Sequence, residues 1–265
     1  MHIEEIIQKI KPANKDCAKL AQLRFDNFIK PVGSLAQLET MTCRYCAIIG
    51  SYDKLDVDYP KRDILVWCDM EHAGKLEKLM QAQLPVNVLA AETGAKTVGL
   101  LVTALDEAEA LEEGATLVQE LVHEHGLGFV GFGCMAAPED ELVRAAMTGG
   151  MLQATAMGVG IMLDGVATCK AAQKAAELAP AVLDYCFAGH VSAEAGAEEA
   201  IQALGLVAPL RLDIPDGAGE GAAVAFTLLN AGIKAYKEME TFEEAGVHVE
   251  VKEFSLAEQV KKEQK

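Results

Sequence analysis

The chain has 265 residues, of which 51% are hydrophobic and 5% are aromatic, so it is long enough to bury a substantial core in one large domain or two small ones. Its 23 basic and 40 acidic residues give a net charge of −17. This charge argues against a surface that binds nucleic-acid phosphates or anionic membranes.

The first fifty residues are predicted to be helical. Apolar residues recur at helical spacing over residues 3–10, and a second helix is expected after a cap at Asn14. The segment 30–34 breaks that helix, and Ser34 with Gln37 has the pattern of a capping box for a third. The amino terminus lacks the basic start and apolar core of a signal peptide, so we expect a cytoplasmic location.

From residue 63 onward, short apolar runs alternate with helical stretches. The runs predict strands at 64–68, 97–102, 128–132, 160–163 and 210–214. Helices are predicted near 75–83, 86–92, 106–124, 139–148, 166–178 and 193–204. This order predicts an α/β fold, a Rossmann-like parallel sheet with helices on both faces. We expect the sheet domain over residues 51–221, and a small helical subdomain from residues 1–50 and about 222–265.

Cysteines, histidines and one uncharged stretch give no sign of a metal site or a membrane span. The seven cysteines are scattered and odd in number, which is typical of reduced thiols, and the C-x-x-C of Cys43 and Cys46 lies within a helical pattern without a second pair. His123 and His125 are read as solvated. The stretch 145–163 has no charge but contains four glycines, so it predicts a helix, a turn and a buried strand.

A glycine-rich loop precedes the last apolar helix, which is predicted from residue 222 to about residue 236. Its three glycines, Gly217, Gly219 and Gly221, let the backbone approach a ligand, and the first amides of the helix favour a phosphate or carboxylate. Asp216 and Glu220 lie in the same loop and are candidates for a general base. An ordinary exposed loop with helix-capping residues has the same composition.

Other candidate ligand-binding residues follow the predicted strands, since ligands collect at the carboxyl ends of parallel strands. Asp69, Glu71 and His72 follow the first strand, and Gly131 and Gly133 end the third. No third glycine completes a dinucleotide-binding fingerprint there, so we expect no nicotinamide dinucleotide and no other cofactor.

Motifs in several parts of the chain resemble those of one enzyme family. The segment 28–39 (FIKPVGSLAQLE), the Leu-Asp-Gly of residues 163–165, the segment 190–197 (HVSAEAGA) and the glycine-rich loop follow one another as in the nicotinate-nucleotide:dimethylbenzimidazole phosphoribosyltransferases. These enzymes make the lower-ligand nucleotide of cobalamin and related cobamides. The resemblance implies that Pro31, Gly33 and Ser34 contact a ligand or a partner.

The resemblance implies transfer of ribose phosphate from nicotinate mononucleotide to an aromatic base, with a glutamate of the glycine-rich loop as general base. In this chain that position is Ala218, and the nearest glutamate is Glu220, two residues later. Cys134 replaces an acidic residue, and a family segment with a phosphate-binding lysine is missing after Gly150. The chain is most similar to the shortened partner subunit of a heteromeric branch that acts on phenolic bases.

Four hypotheses follow. In the first, the chain is a non-catalytic subunit that forms a heterodimer with a full-length paralogue, or pairs with itself. In the second, it is a self-sufficient transferase or hydrolase in which Glu220, Asp216 or Asp164 is the base. In the third, it binds an aromatic base without turnover. In the fourth, it keeps only the fold, because a doubly wound sheet does not by itself fix function.

Overall fold

A computed structural model describes residues 2–247. Its centre is a five-stranded parallel sheet in the order β2-β1-β3-β4-β5. The strands are β1 (Arg62–Cys68), β2 (Lys96–Leu101), β3 (Phe129–Cys134), β4 (Gly160–Leu163) and β5 (Cys186–Ala188). All residues of β1, β3, β4 and β5 are buried, as expected for strands that are covered on both faces.

Ten α-helices connect or flank these strands within residues 2–247. They are α1 (Ile3–Lys9), α2 (Lys15–Asp26), α3 (Gln37–Ile49), α4 (Ala73–Met80), α5 (Pro85–Glu92), α6 (Glu107–His125), α7 (Glu141–Ala156), α8 (Gly165–Leu178), α9 (Ala197–Ala203) and α10 (Glu220–Glu238). A short 3₁₀ helix, Pro180–Asp184, precedes β5.

The two faces of the sheet support two hydrophobic clusters, because successive side chains of a strand point to opposite faces. On one face, Trp67 and Phe132 stack with ring centroids 5.9 Å apart beneath α6, α7 and α8. On the other, Ile64 and Phe129 pack with α3, α4, α5 and α10, where Phe226 meets Phe129 edge to face at 5.5 Å. The predicted α/β fold with helices on both faces is confirmed.

The prediction of a fifth strand at 210–214 is wrong. Leu210 forms only an isolated bridge to His190, and the fifth strand is Cys186–Ala188. Residues 211–213 are exposed, so the alternation of apolar and polar residues there does not mark a sheet element. β5 has only three residues and is wholly buried, which leaves too short a pattern to recognise.

The two predicted helix caps have different outcomes. Asn14 is confirmed, because its side chain accepts hydrogen bonds from the amides of Asp16 and Cys17 at 3.1 and 3.2 Å. The capping box of Ser34 and Gln37 is wrong. The structure places the cap of α3 at Ala36, whose φ is +45°, and the carboxylate of Glu39 accepts the Leu35 amide at 3.0 Å instead.

The seven cysteines are free and buried, and Cys43 and Cys46 lie within α3, as predicted. The reading of His125 as solvated is wrong, because its ring is half-buried and bonds the carboxylate of Asp63. His123 is exposed. The stretch 145–163 is a helix, a turn and β4, and no helix within residues 2–247 is long and apolar enough to cross a membrane.

The helical subdomain stays a prediction, and its tail from residue 248 lies outside the described residues. Phe25 and Phe28 of the amino-terminal segment pack with Tyr236 of α10, with centroids 5.1–6.3 Å apart. These rings belong to the same hydrophobic cluster as Ile64 and Phe129 of the sheet. The segments around α2 and α10 therefore share a core with one face of the sheet, whereas Ile6 of α1 packs in the cluster on the other face.

Candidate functional site at the carboxyl ends of the strands

A cavity of about 530 Å³ opens beside the carboxyl end of β3. It is bounded by α4, the start of α5, the segment after β3 and the glycine-rich loop. Its lining residues are Lys75, Lys78, Leu84, Pro85, Cys134, Met135, Ala136, Pro138, Glu194, Pro215, Asp216, Gly217, Ala218 and Glu220. Asp216, Gly217 and Glu220 were predicted as site residues and lie together here.

The glycine-rich loop lies directly against β3. The Cys134 amide donates to the Gly217 carbonyl at 2.7 Å, and a Cβ on Gly133 would be about 2.5 Å from the Ala218 carbonyl oxygen. A Cβ on Gly131 would be 2.5 Å from Ile64 Cδ1. Gly131 and Gly133 therefore have a packing role in the close approach of the loop and α10, and neither lines the cavity. Their predicted contact with a ligand stays a prediction.

A buried carboxylate, Asp164, binds backbone amides of the glycine-rich loop. Its Oδ2 accepts hydrogen bonds from the amides of Gly219 and Gly221 at 3.0 and 2.9 Å. Its Oδ1 lies 3.8 Å from Nδ1 of the buried His190, whose Nε2 accepts the Leu212 amide at 3.0 Å. The two glycine amides that were predicted to face an anion donate to the chain's own carboxylate. Ligand binding by Gly219 and Gly221 stays a prediction.

Glu220 begins α10 and lines the cavity. Its Oε2 is buried and has no hydrogen-bond partner among the described residues. Burial raises the pKa of Glu220 to about 6, and the carboxylates of Asp164 and Asp216 add to the rise. A carboxyl group with a pKa close to neutral can exchange a proton with a ligand, which is what a general base or acid must do.

Sequence reasoning did not select Glu194 as a site residue, although it lies in the quoted segment 190–197. Its Oε2 accepts the Val166 amide at 3.0 Å and the Ser192 hydroxyl at 2.7 Å. These bonds join the start of α8 to the segment after β5, while the carboxylate lines the cavity. No local pattern signals this role, because it depends on two loops meeting in space.

The inner wall of the cavity is apolar. Ala218 is 8% exposed, and Cys134 is buried, which raises the pKa of its thiol to about 12 and keeps it protonated. Met135, Pro138 and Pro215 add apolar surface beside them. Apolar surface next to a few carboxylates suits a ligand that has an apolar body and a group able to donate a proton.

The predicted residues Asp69, Glu71 and His72 form the turn before α4 and do not line the cavity. Asp69 accepts the His72 amide at 2.7 Å and bonds the His72 ring at 2.8 Å, while Glu71 is exposed. Their ligand contacts stay predictions. The turn fixes the start of α4, on which Lys75 and Lys78 reach the cavity.

Pro31, Gly33 and Ser34 also lie outside the cavity, in an exposed loop. The loop is anchored by a buried ion pair of Lys30 with Glu39 at 2.9 Å. Their predicted contact with a ligand or a partner stays a prediction.

A second, larger cavity of about 630 Å³ lies between α2, residues 51–54 and residues 241–244. We place the functional site elsewhere, because both cationic groups of this cavity are paired with Glu244: Arg24 at 3.3 Å and Lys54 at 2.5 Å. No group of three or more metal-ligating side chains occurs in the part of the chain that the structure describes.

Comparison with known proteins supports the resemblance in the sequence. A family model described as phosphoribosyltransferase matches residues 142–247. Over 103 residues the chain is 42% identical to the nicotinate-nucleotide–dimethylbenzimidazole phosphoribosyltransferase of Chlorobium chlorochromatii, and over 163 residues it is 33% identical to that of Roseobacter denitrificans. These matches span 39% and 62% of this chain but only 29% and 45% of the two relatives.

A longer match shows that the similarity extends along the chain. The enzyme of the same name from Citrifermentans bemidjiense is 26% identical over 347 aligned positions, which include 92% of this chain and 98% of the relative. The crystal structure of the Thermus thermophilus enzyme superposes with a TM-score of 0.77 at 21% identity, covering 88% of this chain and 99% of that one. This structural likeness shows that the fold is shared.

Proposed function

We propose that this chain, a relative of the nicotinate-nucleotide–dimethylbenzimidazole phosphoribosyltransferases, takes part in moving ribose phosphate from nicotinate mononucleotide to an aromatic base during cobamide lower-ligand synthesis. The observation that carries the proposal is the cavity at the carboxyl end of the sheet. It combines an apolar wall with the carboxyl group of Glu220, whose pKa is raised to about 6.

The chemistry requires one bond to form and one to break at the anomeric carbon of the ribose. A nitrogen or oxygen of the acceptor base attacks this carbon, nicotinate leaves with the electron pair of the old bond, and the acceptor loses its proton. A nearby carboxylate takes that proton and stabilises the positive charge that develops on the ribose. Glu194, Asp216 and Glu220 are the carboxylates on the cavity wall beside the apolar surface.

We propose further that the chain is the non-catalytic subunit of a complex with a full-length paralogue. At the position where the resemblance places the family's catalytic glutamate, the residue that lines the cavity is Ala218, which has no ionisable group. The chain also lacks internal segments. Of its 265 residues, 92% (about 244) align within a match of 347 positions to the Citrifermentans relative. On this proposal the paralogue supplies the base, and the acceptor is benzimidazole-like or phenolic.

Nicotinate release tests the proposal. The chain, a full-length paralogue and their mixture are each given nicotinate mononucleotide with dimethylbenzimidazole or with phenol. We expect no release by the chain alone, and acceptor-dependent release by the mixture at a rate above that of the paralogue. A mixture that is no faster than the paralogue, and no complex at micromolar concentration by analytical ultracentrifugation, would reject the subunit role.

A self-sufficient enzyme is the second candidate, and the unpartnered Oε2 of Glu220 favours it. In that case the chain alone releases nicotinate, and Glu220→Gln lowers kcat by about 100-fold or more, in the range of general-base catalysis. Glu139→Gln, which changes an exposed carboxylate outside the cavity, is the matched control. Unchanged turnover in Glu220→Gln would remove this candidate. Binding of dimethylbenzimidazole with no release in any mixture would leave a base-binding protein.

A further inference from the structure

The position of an anionic group in the cavity is constrained by Asp164. Gly219 and Gly221 would be the natural amides for a phosphate at the start of α10, but both donate to the Asp164 carboxylate, which is 1% exposed. A phosphate beside Asp164 would also meet its negative charge. The phosphate of a ligand in this cavity must therefore be held by other groups.

Two lysines are the cationic side chains among the described residues that line the cavity. Lys75 and Lys78 are three residues apart on α4, so they share one face of the helix. Neither belongs to an ion pair or a side-chain hydrogen bond within residues 2–247, whereas six of the other twelve lysines in that range form ion pairs.

The helix that carries these lysines is held in place. Leu76 and Leu79, on the adjacent side of α4, are 9% and 2% exposed and pack in the hydrophobic cluster on that face of the sheet. The turn of Asp69 and His72 fixes its first residue. Two exposed ammonium groups thus line the cavity from a packed helix.

The charges of the cavity are separated. The lysines lie on the α4 side, while Glu194, Asp216 and Glu220 lie on the side of the glycine-rich loop and the segment after β5. A ligand with a phosphate at one end and a proton-donating ring at the other matches this separation in sign.

We propose that Lys75 and Lys78 form a phosphate subsite, which binds the monoester phosphate of the ribose-phosphate ligand and directs its anomeric carbon toward Glu194 and Glu220. This inference rests on the proposed function, since it places that function's ligand in the cavity. It assigns the recognition of phosphate to α4 rather than to the glycine-rich loop. The subsite therefore distinguishes a ribose phosphate from the unphosphorylated sugar.

Calorimetric titration of the full chain with ribose 5-phosphate and with ribose tests the subsite. We expect ribose 5-phosphate to bind, and Lys75→Ala/Lys78→Ala to weaken its affinity by about tenfold or more, because bonds to charged groups are lost. Lys96→Ala/Lys170→Ala is the matched control, since it removes two exposed lysines outside the cavity and changes the net charge equally. Circular dichroism checks that both variants are folded.

Three results would overturn the subsite: no binding of ribose 5-phosphate at millimolar concentration, equal affinity for ribose, or equal weakening by the two double variants. Its failure is distinguishable from failure of the proposed function. Binding that depends on Lys75 and Lys78 without nicotinate release in any mixture keeps the subsite and removes the transferase. Nicotinate release with an unchanged KM for nicotinate mononucleotide in Lys75→Ala/Lys78→Ala keeps the transferase and removes the subsite.

Discussion

Asp164 stabilises the glycine-rich loop through two amides that have no other acceptor within residues 2–247. Asp164→Ala leaves the Gly219 and Gly221 N–H groups buried and unpaired, so we expect a loss of about 2–5 kcal/mol in the free energy of unfolding, measured by urea denaturation. Asp164→Asn keeps one acceptor oxygen and is expected to lose less. Asp106→Ala removes an exposed helix cap and should cost only about 1 kcal/mol. Equal costs for the two alanine variants would contradict this role.

The raised pKa of Glu220 makes stability depend on pH. The pKa rises from 4.5 to about 6 on folding, so the folded state favours the protonated form. The contribution of Glu220 to stability is therefore most favourable below pH 4.5 and is lost as the pH rises through 6. The loss is at most about 2 kcal/mol, and screening by solvent makes it smaller.

Glu220→Gln removes this pH dependence because the carboxamide does not ionise. We expect it to be more stable than the wild type by about 1–2 kcal/mol at pH 8 and equal to it near pH 4.5, by chemical denaturation at both values. Glu139→Gln controls for the loss of one negative charge from a chain of net charge −17. If Glu220→Gln raised the free energy of unfolding equally at both pH values, the stabilisation would not come from removing the ionisation of Glu220.

The residues of the site could be predicted from the sequence only in part. Asp216, Gly217 and Glu220 were identified because a glycine-rich junction before a helix has a physical meaning that is local to the chain. Glu194 and Lys75 are brought to the cavity by the order of the strands, and no periodicity signals that. The occupation of the Gly219 amide by Asp164, 55 residues away, is equally invisible to local reasoning.

At the scale of elements, the contact between β3 and the glycine-rich loop depends on the absence of a side chain. Gly133→Ala would place a Cβ about 2.5 Å from the Ala218 carbonyl oxygen, where backbone and not a flexible side chain must move. We expect a loss of about 2–4 kcal/mol in unfolding free energy together with displacement of the loop. The displacement should appear as weakened ribose 5-phosphate binding.

Gly74→Ala is the matched control for this substitution. Gly74 lies in α4, has no positive φ and has no atom within 4 Å of an added Cβ. Alanine there should be neutral or stabilising by up to about 1 kcal/mol, because it favours the helix. A Gly133→Ala variant as stable as Gly74→Ala would show that the loop is not held tightly against β3.

Strands were predictable where their apolar runs were long. β1 to β4 were located to within about two residues, since each contains an apolar run bounded by polar residues or glycine. β5 was missed because three buried residues carry no period, and residues 210–214 were mistaken for a strand because alternation is only typical of a strand and does not require pairing. The order of the strands follows from packing between elements, which the sequence pattern does not contain.

At the scale of the whole molecule, adjacent residues of the same strand belong to opposite clusters. Ile64 packs with the helical segments and Leu65 with α6 to α8, and Phe129 and Val130 divide in the same way. Because the two clusters share these strands, losing the packing on one face also destabilises the cluster on the other face. This argues that the predicted helical subdomain does not unfold separately from the sheet.

Trp67, the single tryptophan, allows that argument to be tested. It is 0% exposed on the face covered by α6 to α8, opposite the cluster formed with α2, α3 and α10, so its fluorescence reports the sheet core. We expect its denaturant transition to coincide with that of far-ultraviolet circular dichroism, which reports all helices. Phe25→Leu, a change in the opposite cluster, should lower both midpoints together through a loss of about 1–2 kcal/mol. The opposite result would be a circular-dichroism transition at lower denaturant concentration than the fluorescence transition, with Phe25→Leu lowering only the circular-dichroism midpoint. That result would show that the helical segments form an independent folding unit.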